Sequence, residues 1–144
     1  MIVVTDSIRL STEGNTDIVD ITEKVRQRLK SAGIKNGVVT VSVKGSTGAV
    51  TTCEYEPGLV QDLKEFFARL IPEGKRYHHD AAWGDGNGHA HLRASLVGPS
   101  VTIPIHNQEL ALGTWQQIIF IDFDNRARQR ELLVQFLGEE KHVQ

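Results

Sequence analysis

The sequence predicts an α+β fold: a mainly antiparallel β-sandwich with two helices, in a single domain over residues 1–144. Three observations carry that expectation. Apolar residues recur at helical spacing in only two segments, while many other segments are short, apolar and strand-like. Helices and strands do not alternate as they would around a parallel sheet. A chain of this length can bury a core without disulfides or a structural metal.

Residues 2–10 alternate loosely and open the chain as a strand. Asp20-Ile21-Thr22-Glu23 has the form of a capping box, with Asp20 accepting a backbone N–H and Glu23 reaching back. Ile21, Val25, Leu29 and Ala32 follow at helical spacing, and Gly33 closes that helix in the left-handed conformation. Residues 38–43 are β-branched and alternating; Gly45-Ser46-Thr47-Gly48 turns into a further strand over 49–55. Pro57 suits the first turn of the second helix, whose apolar stripe is Leu59, Leu63, Phe66, Phe67 and Leu70, ending at Pro72. A polar loop over 73–88 is longer than connections usually are. Only strands are expected after it, over 89–97, 101–105, 113–123 and 131–137, with turns at Gly98-Pro99 and Asn107-Gln108.

Charge and composition exclude several function classes. With 16 basic and 18 acidic residues the net charge is -2, so sequence-blind nucleic-acid binding is not expected. Arg126, Arg128 and Arg130 read as a solvated turn rather than a phosphate clamp. No window approaches the roughly 20 apolar residues of a membrane helix, and the first residues lack the basic start and long apolar stretch of a signal peptide. Cys53 is the only cysteine. It cannot form an intramolecular disulfide and reads as a structural thiol, which fits a cytoplasmic protein.

The segment from His78 to His91 holds four of the six histidines, interleaved with Asp80, Asp85 and three glycines. If residues 89–97 form a strand, His89 and His91 share one face, about 7 Å apart, and can converge on one ion or one phosphate. A first-row metal needs further ligands, and His79, Asp80 and Asp85 are the nearest suppliers in sequence. The plainer alternative is a polar loop with a histidine satisfied by a backbone carbonyl. Gly84, Gly86 and Gly88 allow close backbone approach to a ligand. The strand-then-helix context of a dinucleotide loop is missing, as is the terminal glutamate of a calcium loop.

Elsewhere, Gly45-Ser46-Thr47-Gly48 is either a phosphate-holding turn or a plain hairpin. Glu54 is either a general acid/base or an outward-facing strand residue. Gln116 is placed to orient a substrate amide or phosphate. Trp115 reads as core, and Trp83 either stacks on a heteroaromatic ring or fills a subunit contact.

Several segments together resemble a known family. They are Gly45-Ser46-Thr47-Gly48-Ala49-Val50-Thr51-Thr52, Glu54-Tyr55-Glu56-Pro57-Gly58, Tyr77-His78-His79-Asp80, Gly84-Asp85-Gly86-Asn87-Gly88, His91-Leu92-Arg93-Ala94-Ser95-Leu96-Val97-Gly98-Pro99-Ser100 and Leu112-Gly113-Thr114-Trp115-Gln116. The chain resembles the YjbQ-like family, often labelled secondary thiamine-phosphate synthase. That resemblance implies a β-sandwich, a homotrimer and a pocket built partly from the histidine loop and shared between subunits. It implies a transferase activity joining a pyrimidine diphosphate to a thiazole phosphate. The family's constrained groups correspond here to Glu54, His79, Asp85, His91 and Gln116; the position of His89 is looser. Some members carry His-Thr-Thr where this chain has Gly45-Ser46-Thr47.

The expected site therefore has Glu54, Asp85 and Gln116 as catalytic groups. His79, His91 and His89 are expected to ligate a divalent metal, whether zinc, magnesium or manganese. The expected partner is a small phosphorylated or heterocyclic metabolite. A non-catalytic, metabolite- or metal-binding regulatory trimer is the alternative. A cupin-like oxygenase ranks last, because Arg93-Ala94-Ser95 stands where its glutamate should follow the histidine pair.

Overall fold

The computed structural model describes residues 1–142. A long first strand, β1 (Ile2–Thr12), and the C-terminal β8 (Arg128–Glu140) are partners in a five-stranded antiparallel sheet. Its order is β1, β8, β3 (Ile34–Val43), β5 (Ser100–His106) and β6 (Glu109–Leu110). A three-stranded antiparallel sheet follows the order β2 (Asp17–Asp20), β7 (Gln117–Asp122), β4 (Gly48–Cys53).

Strand β7 explains how the layers stack. It is buried on both faces, so its side chains serve two cores in alternation. Ile118 and Phe120 point toward the large sheet and join Val41, Val134 and Phe136 there. Helix α1 (Thr22–Ala32) adds Val25 and Leu29 to that core. On the other face, Ile119 and Ile121 pack beneath α2 (Pro57–Leu70) and α4 (Gly88–Val97), through Phe67, Ala90 and Ala94. The molecule is thus an α+β sandwich, as predicted.

The helix boundaries bear out part of the capping logic. Asp20 accepts from the backbone N–H of Thr22 at 3.0 Å, but Glu23 pairs with Arg26 instead of reaching back. Gly33 closes α1 at φ 67°, its N–H bonded to the Leu29 carbonyl. Pro57 opens α2, and the Glu56 carboxylate accepts from the N–H groups of Gly58 and Leu59 at 2.7 and 2.8 Å. Those two bonds pull the Glu56 carboxyl below its ordinary range.

Two expectations need correction. The loop over 73–88 contains a short helix, α3 (His78–Trp83), and residues 89–97 form α4 rather than a strand. There are consequently four helices among the described residues, not two. The small strands β2 and β6 are also absent from the sequence reading. Asp17–Asp20 is too short for a periodicity to register, and β6 is only two residues long.

Candidate functional site

Helices α3 and α4 meet at a tight corner, and the corner builds the site. Tyr77 precedes α3 and packs so closely on Gly88 that a Cβ there would lie 2.6 Å from the Tyr77 Cβ. The Asp80 carboxylate crosses the corner to accept the Gly88 N–H at 2.8 Å. The Asp85 carboxylate accepts from the Asn87 N–H at 3.2 Å, closing a small turn before α4. The Asn125 amide donates to the Asp85 carbonyl at 2.7 Å and anchors this turn to the segment after β7.

Three ligand-type side chains converge at this corner. Nδ1 of His79 lies 3.6 Å from Asp80 Oδ1 and 3.5 Å from Asp85 Oδ1. Ligand atoms of all three lie within 4.8 Å of one another. The His91 ring stands against that of His79, with centroids 4.3 Å apart and planes tilted by 41°. His79 Nδ1 is buried and has no hydrogen-bond partner. A buried ring nitrogen left this way is costly, and this one is flanked by two carboxylates rather than by apolar groups.

His89 lies elsewhere. On a helix, residues two apart diverge, and here His91 meets His79 while His89 is turned inward at 1% exposure. Burial, then the positive charge of Arg93, push its pKa down, outweighing the pull of Glu73 and Asp80. The shared face expected for His89 and His91 therefore does not exist.

Glu54 and Gln116 are distant as well. The ladder between β4 and β7 pairs Cys53 with Gln117 at one end and Gly48 with Asp122 at the other. Glu54 and Gln116 continue from the first end, whereas Asn125 and the histidine corner lie beyond the second. The six paired residues between them span about 17 Å. Gln116 is also held locally, accepting from Gly113 N at 3.0 Å and donating to Thr52 Oγ1 at 3.1 Å. One chain brings together His79, Asp80, Asp85 and His91, but not the whole expected set.

Behind the corner is a buried ionic frame. Asp124 is fully buried and accepts from Thr47 Oγ1 at 3.0 Å and Asn87 Nδ2 at 3.1 Å, with Arg128 Nη2 at 3.0 Å. Burial raises its pKa, but hydrogen bonds from Arg128, Asn87 and Thr47 win and hold it below the usual range. Asp122 is gripped by the Arg130 guanidinium through Nε and Nη2, at 2.7 and 2.8 Å. Two of the three clustered arginines are therefore internal counter-ions rather than a solvated turn. Thr47 is consumed by the same frame, so the turn before β4 does not offer its hydroxyl to a ligand.

Sequence reasoning missed a cleft of mixed charge. About 690 Å³ in volume and beside the corner, it is lined by Lys75 and Arg76, by Glu73 and Asp80, and by Tyr77, His78 and Asn125. Its signal was present as Lys75-Arg76 just before the histidine run. Cys53 is half-buried, and burial, then Asp20 and Glu54, push its pKa up, so it stays a protonated packing thiol. Among the described residues no helix is long and apolar enough to cross a membrane.

Comparison with known proteins places these features in a family. A family model described as "UPF0047 protein YjbQ-like" matches residues 6–139. A UPF0047 protein of Archaeoglobus fulgidus is 41% identical over 130 residues, covering 90% of this chain and 98% of that one. One from Methanothermobacter thermautotrophicus is 37% identical over 139 residues, covering 96% and 95%. Among solved structures, a YbjQ-like protein of Sulfolobus solfataricus superposes with a TM-score of 0.91 at 34% identity, over 95% of this chain and 98% of that one. A protein of Aeropyrum pernix gives a TM-score of 0.89 at 38% identity, over 94% and 99%. The likeness spans both sheets and the histidine corner, and the chain belongs to the YjbQ-like UPF0047 family.

Proposed function

We propose that His79, Asp85 and His91, with Asp80 beside them, hold a divalent transition metal, and that the protein is a transferase acting on a small phosphorylated, heterocyclic substrate. The observation that carries this reading is the buried, unpartnered Nδ1 of His79, 3.5 Å from the Asp85 carboxylate. Ligand atoms bonded to one ion at about 2.1 Å stand about 3.4 Å apart in tetrahedral geometry, close to that separation. Imidazole with carboxylate favours zinc or manganese over magnesium, which prefers oxygen and retained water. When bound, such an ion supplies Lewis-acid polarisation of a phosphoryl oxygen.

The remaining work falls to the chain itself. Asp80, fixed by the Gly88 N–H, sets a second carboxylate oxygen 3.6 Å from the same His79 nitrogen, within reach of the same ion. Lys75 and Arg76 line the adjoining cleft and would neutralise a diphosphate. The specific reaction we put forward is the joining of a pyrimidine diphosphate to a thiazole phosphate, releasing pyrophosphate. Glu54 and Gln116 would take part only from a neighbouring subunit, which is why a homotrimer belongs to this reading. A cytoplasmic location fits the single protonated thiol. The remoteness of Glu54 and Gln116 within one chain supports a second reading, a binding trimer without turnover.

Elemental analysis of untagged protein tests the metal. About one equivalent per chain is expected, falling at least tenfold in His79→Ala. Full metal content in both His79→Ala and His91→Ala would sink the shared site. With metal established, turnover of the pyrimidine–thiazole pair distinguishes the enzyme from the binding trimer.

A further inference from the structure

Helix α4 carries an unusual cation on a face away from His91. Arg93 is 5% exposed, yet no carboxylate lies within ion-pairing distance of it among the described residues. Arg130, comparably buried, is by contrast gripped by Asp122. The Arg93 Nε donates to the Ile71 carbonyl at 3.0 Å and Nη1 to Thr16 Oγ1 at 3.1 Å. Those bonds leave Nη2 without a partner among the described residues. Nη2 is not among the buried unpartnered atoms, so it opens onto the space beside it, where the only acidic charge acting on the guanidinium is that of Glu73 and an anion could be held more closely.

The space around the Arg93 head can hold such an anion. A cleft of about 350 Å³ is lined by Arg93, Lys64, Asn15, Thr16 and Glu73. Lys64 from α2 and Arg93 from α4 thus face one concavity from two elements. The third wall is a turn in which Gly14, Asn15 and Thr16 all have positive φ, at 78°, 53° and 65°. A β-branched residue is strained there. The turn is held by the Asn15 N–H on the Asp124 carbonyl, at 2.7 Å, and by the Arg93 guanidinium on the Thr16 hydroxyl. Glu73 is the one acidic group in the wall, and it is exposed.

We propose that Arg93, Lys64 and the turn at Asn15 and Thr16 form an anion site that takes the phosphoryl group of a small phosphorylated molecule, distinct from the His79 corner. A phosphoryl group presents several charged oxygens and can engage the free Arg93 nitrogen and Lys64 together. A single carboxylate spans two such cations less well. The site stands independently of the metal reading.

The test is titration of inorganic phosphate into EDTA-dialysed protein, followed by amide chemical shifts of Asn15, Thr16 and Lys64, with acetate in parallel. Stripping the metal removes its own pull on phosphate, and phosphate held by Lys75 and Arg76 in the neighbouring cleft reports at their amides rather than at these three. Saturable shifts at these amides are expected with phosphate, and weaker binding with acetate. Lys64→Ala and Arg93→Lys should each weaken phosphate on the order of tenfold while keeping a dispersed, folded spectrum. Lys64→Ala should retain the metal content of the unaltered protein. Glu73→Gln should tighten binding by removing a competing carboxylate. No saturable shift with phosphate overturns the site, and acetate binding as tightly as phosphate overturns its assignment to a phosphoryl group. If Glu73→Gln destabilises the fold and leaves phosphate affinity unchanged, Glu73 is the counter-ion of Arg93 and the proposal fails.

Discussion

His89 lies in the first turn of α4, on its inward side at 1% exposure, and its Nε2 has no hydrogen-bond partner. Burial and the neighbouring Arg93 charge both disfavour the imidazolium, so the folded pKa lies below the unfolded value. The stability effect follows from the sign of that shift. Above the unfolded pKa of about 6.5 both states carry neutral imidazole and nothing is lost. Below it the unfolded chain takes up the proton first, and stability falls until pH passes the folded pKa. His89→Gln removes this component, so its melting temperature should decline less between pH 7 and pH 5 than that of the unaltered protein. Equal declines would mean that the His89 ring reaches water. The same burial explains why a histidine that looks ligand-like in the sequence does not join the corner cluster: it faces the core, with Arg93 one turn further along the same side.

At the scale of elements, the corner between α3 and α4 decides whether the site exists. Gly88 is required there by contact rather than by backbone angle. A methyl group would meet the Tyr77 Cβ at 2.6 Å and Asp80 Oδ1 at 3.2 Å. Gly88→Ala should therefore force the helices apart, lowering stability by about 1–3 kcal/mol, as overpacking does. Since Asp80 bridges the same corner, metal affinity should fall with it. Thermal melts read the first effect and metal titration the second. A variant of unchanged stability and affinity would show the corner to be pliable. This corner was the least legible part of the sequence. The central strands were readable because β-branched residues alternate in them, as in Val39, Val41 and Val43. Residues 88–96 contain no β-branched residue, and Ala90 and Ala94, like Leu92 and Leu96, stand four apart, which is a helical signal. The His-x-His alternation hid it. The bond from Gly88 to Asp80 had no counterpart in sequence, because it depends on how the two helices turn back on each other.

At the scale of the molecule, the three-stranded sheet puts the expected site residues at its two ends, and both ends carry exposed tryptophan. Trp83, 76% exposed, follows the histidines of α3; Trp115, 74% exposed, adjoins Gln116. Leu92 and Leu96 add apolar surface on the outward side of α4, at 48% and 58% exposure. Single exposed apolar residues are ordinary, but two tryptophans beside candidate site residues call for a covering surface. A closed three-fold ring joins one face of each subunit to a different face of the next, so the histidine end of one chain can meet the Glu54 end of its neighbour. Light scattering should then give a mass three times the 16.0 kDa of the chain, and Trp83→Glu should lower it. Mixing subunits tests the shared pocket directly. His79→Ala and Glu54→Gln, each inactive alone, should regain about a quarter of the original turnover when unfolded and refolded together in equal amounts, because about one interface in four then pairs two intact halves. A mass of one chain would remove the trimer. A trimer whose mixed mutants stay inactive would confine the pocket to a single subunit and leave Glu54 without a role at the histidine corner.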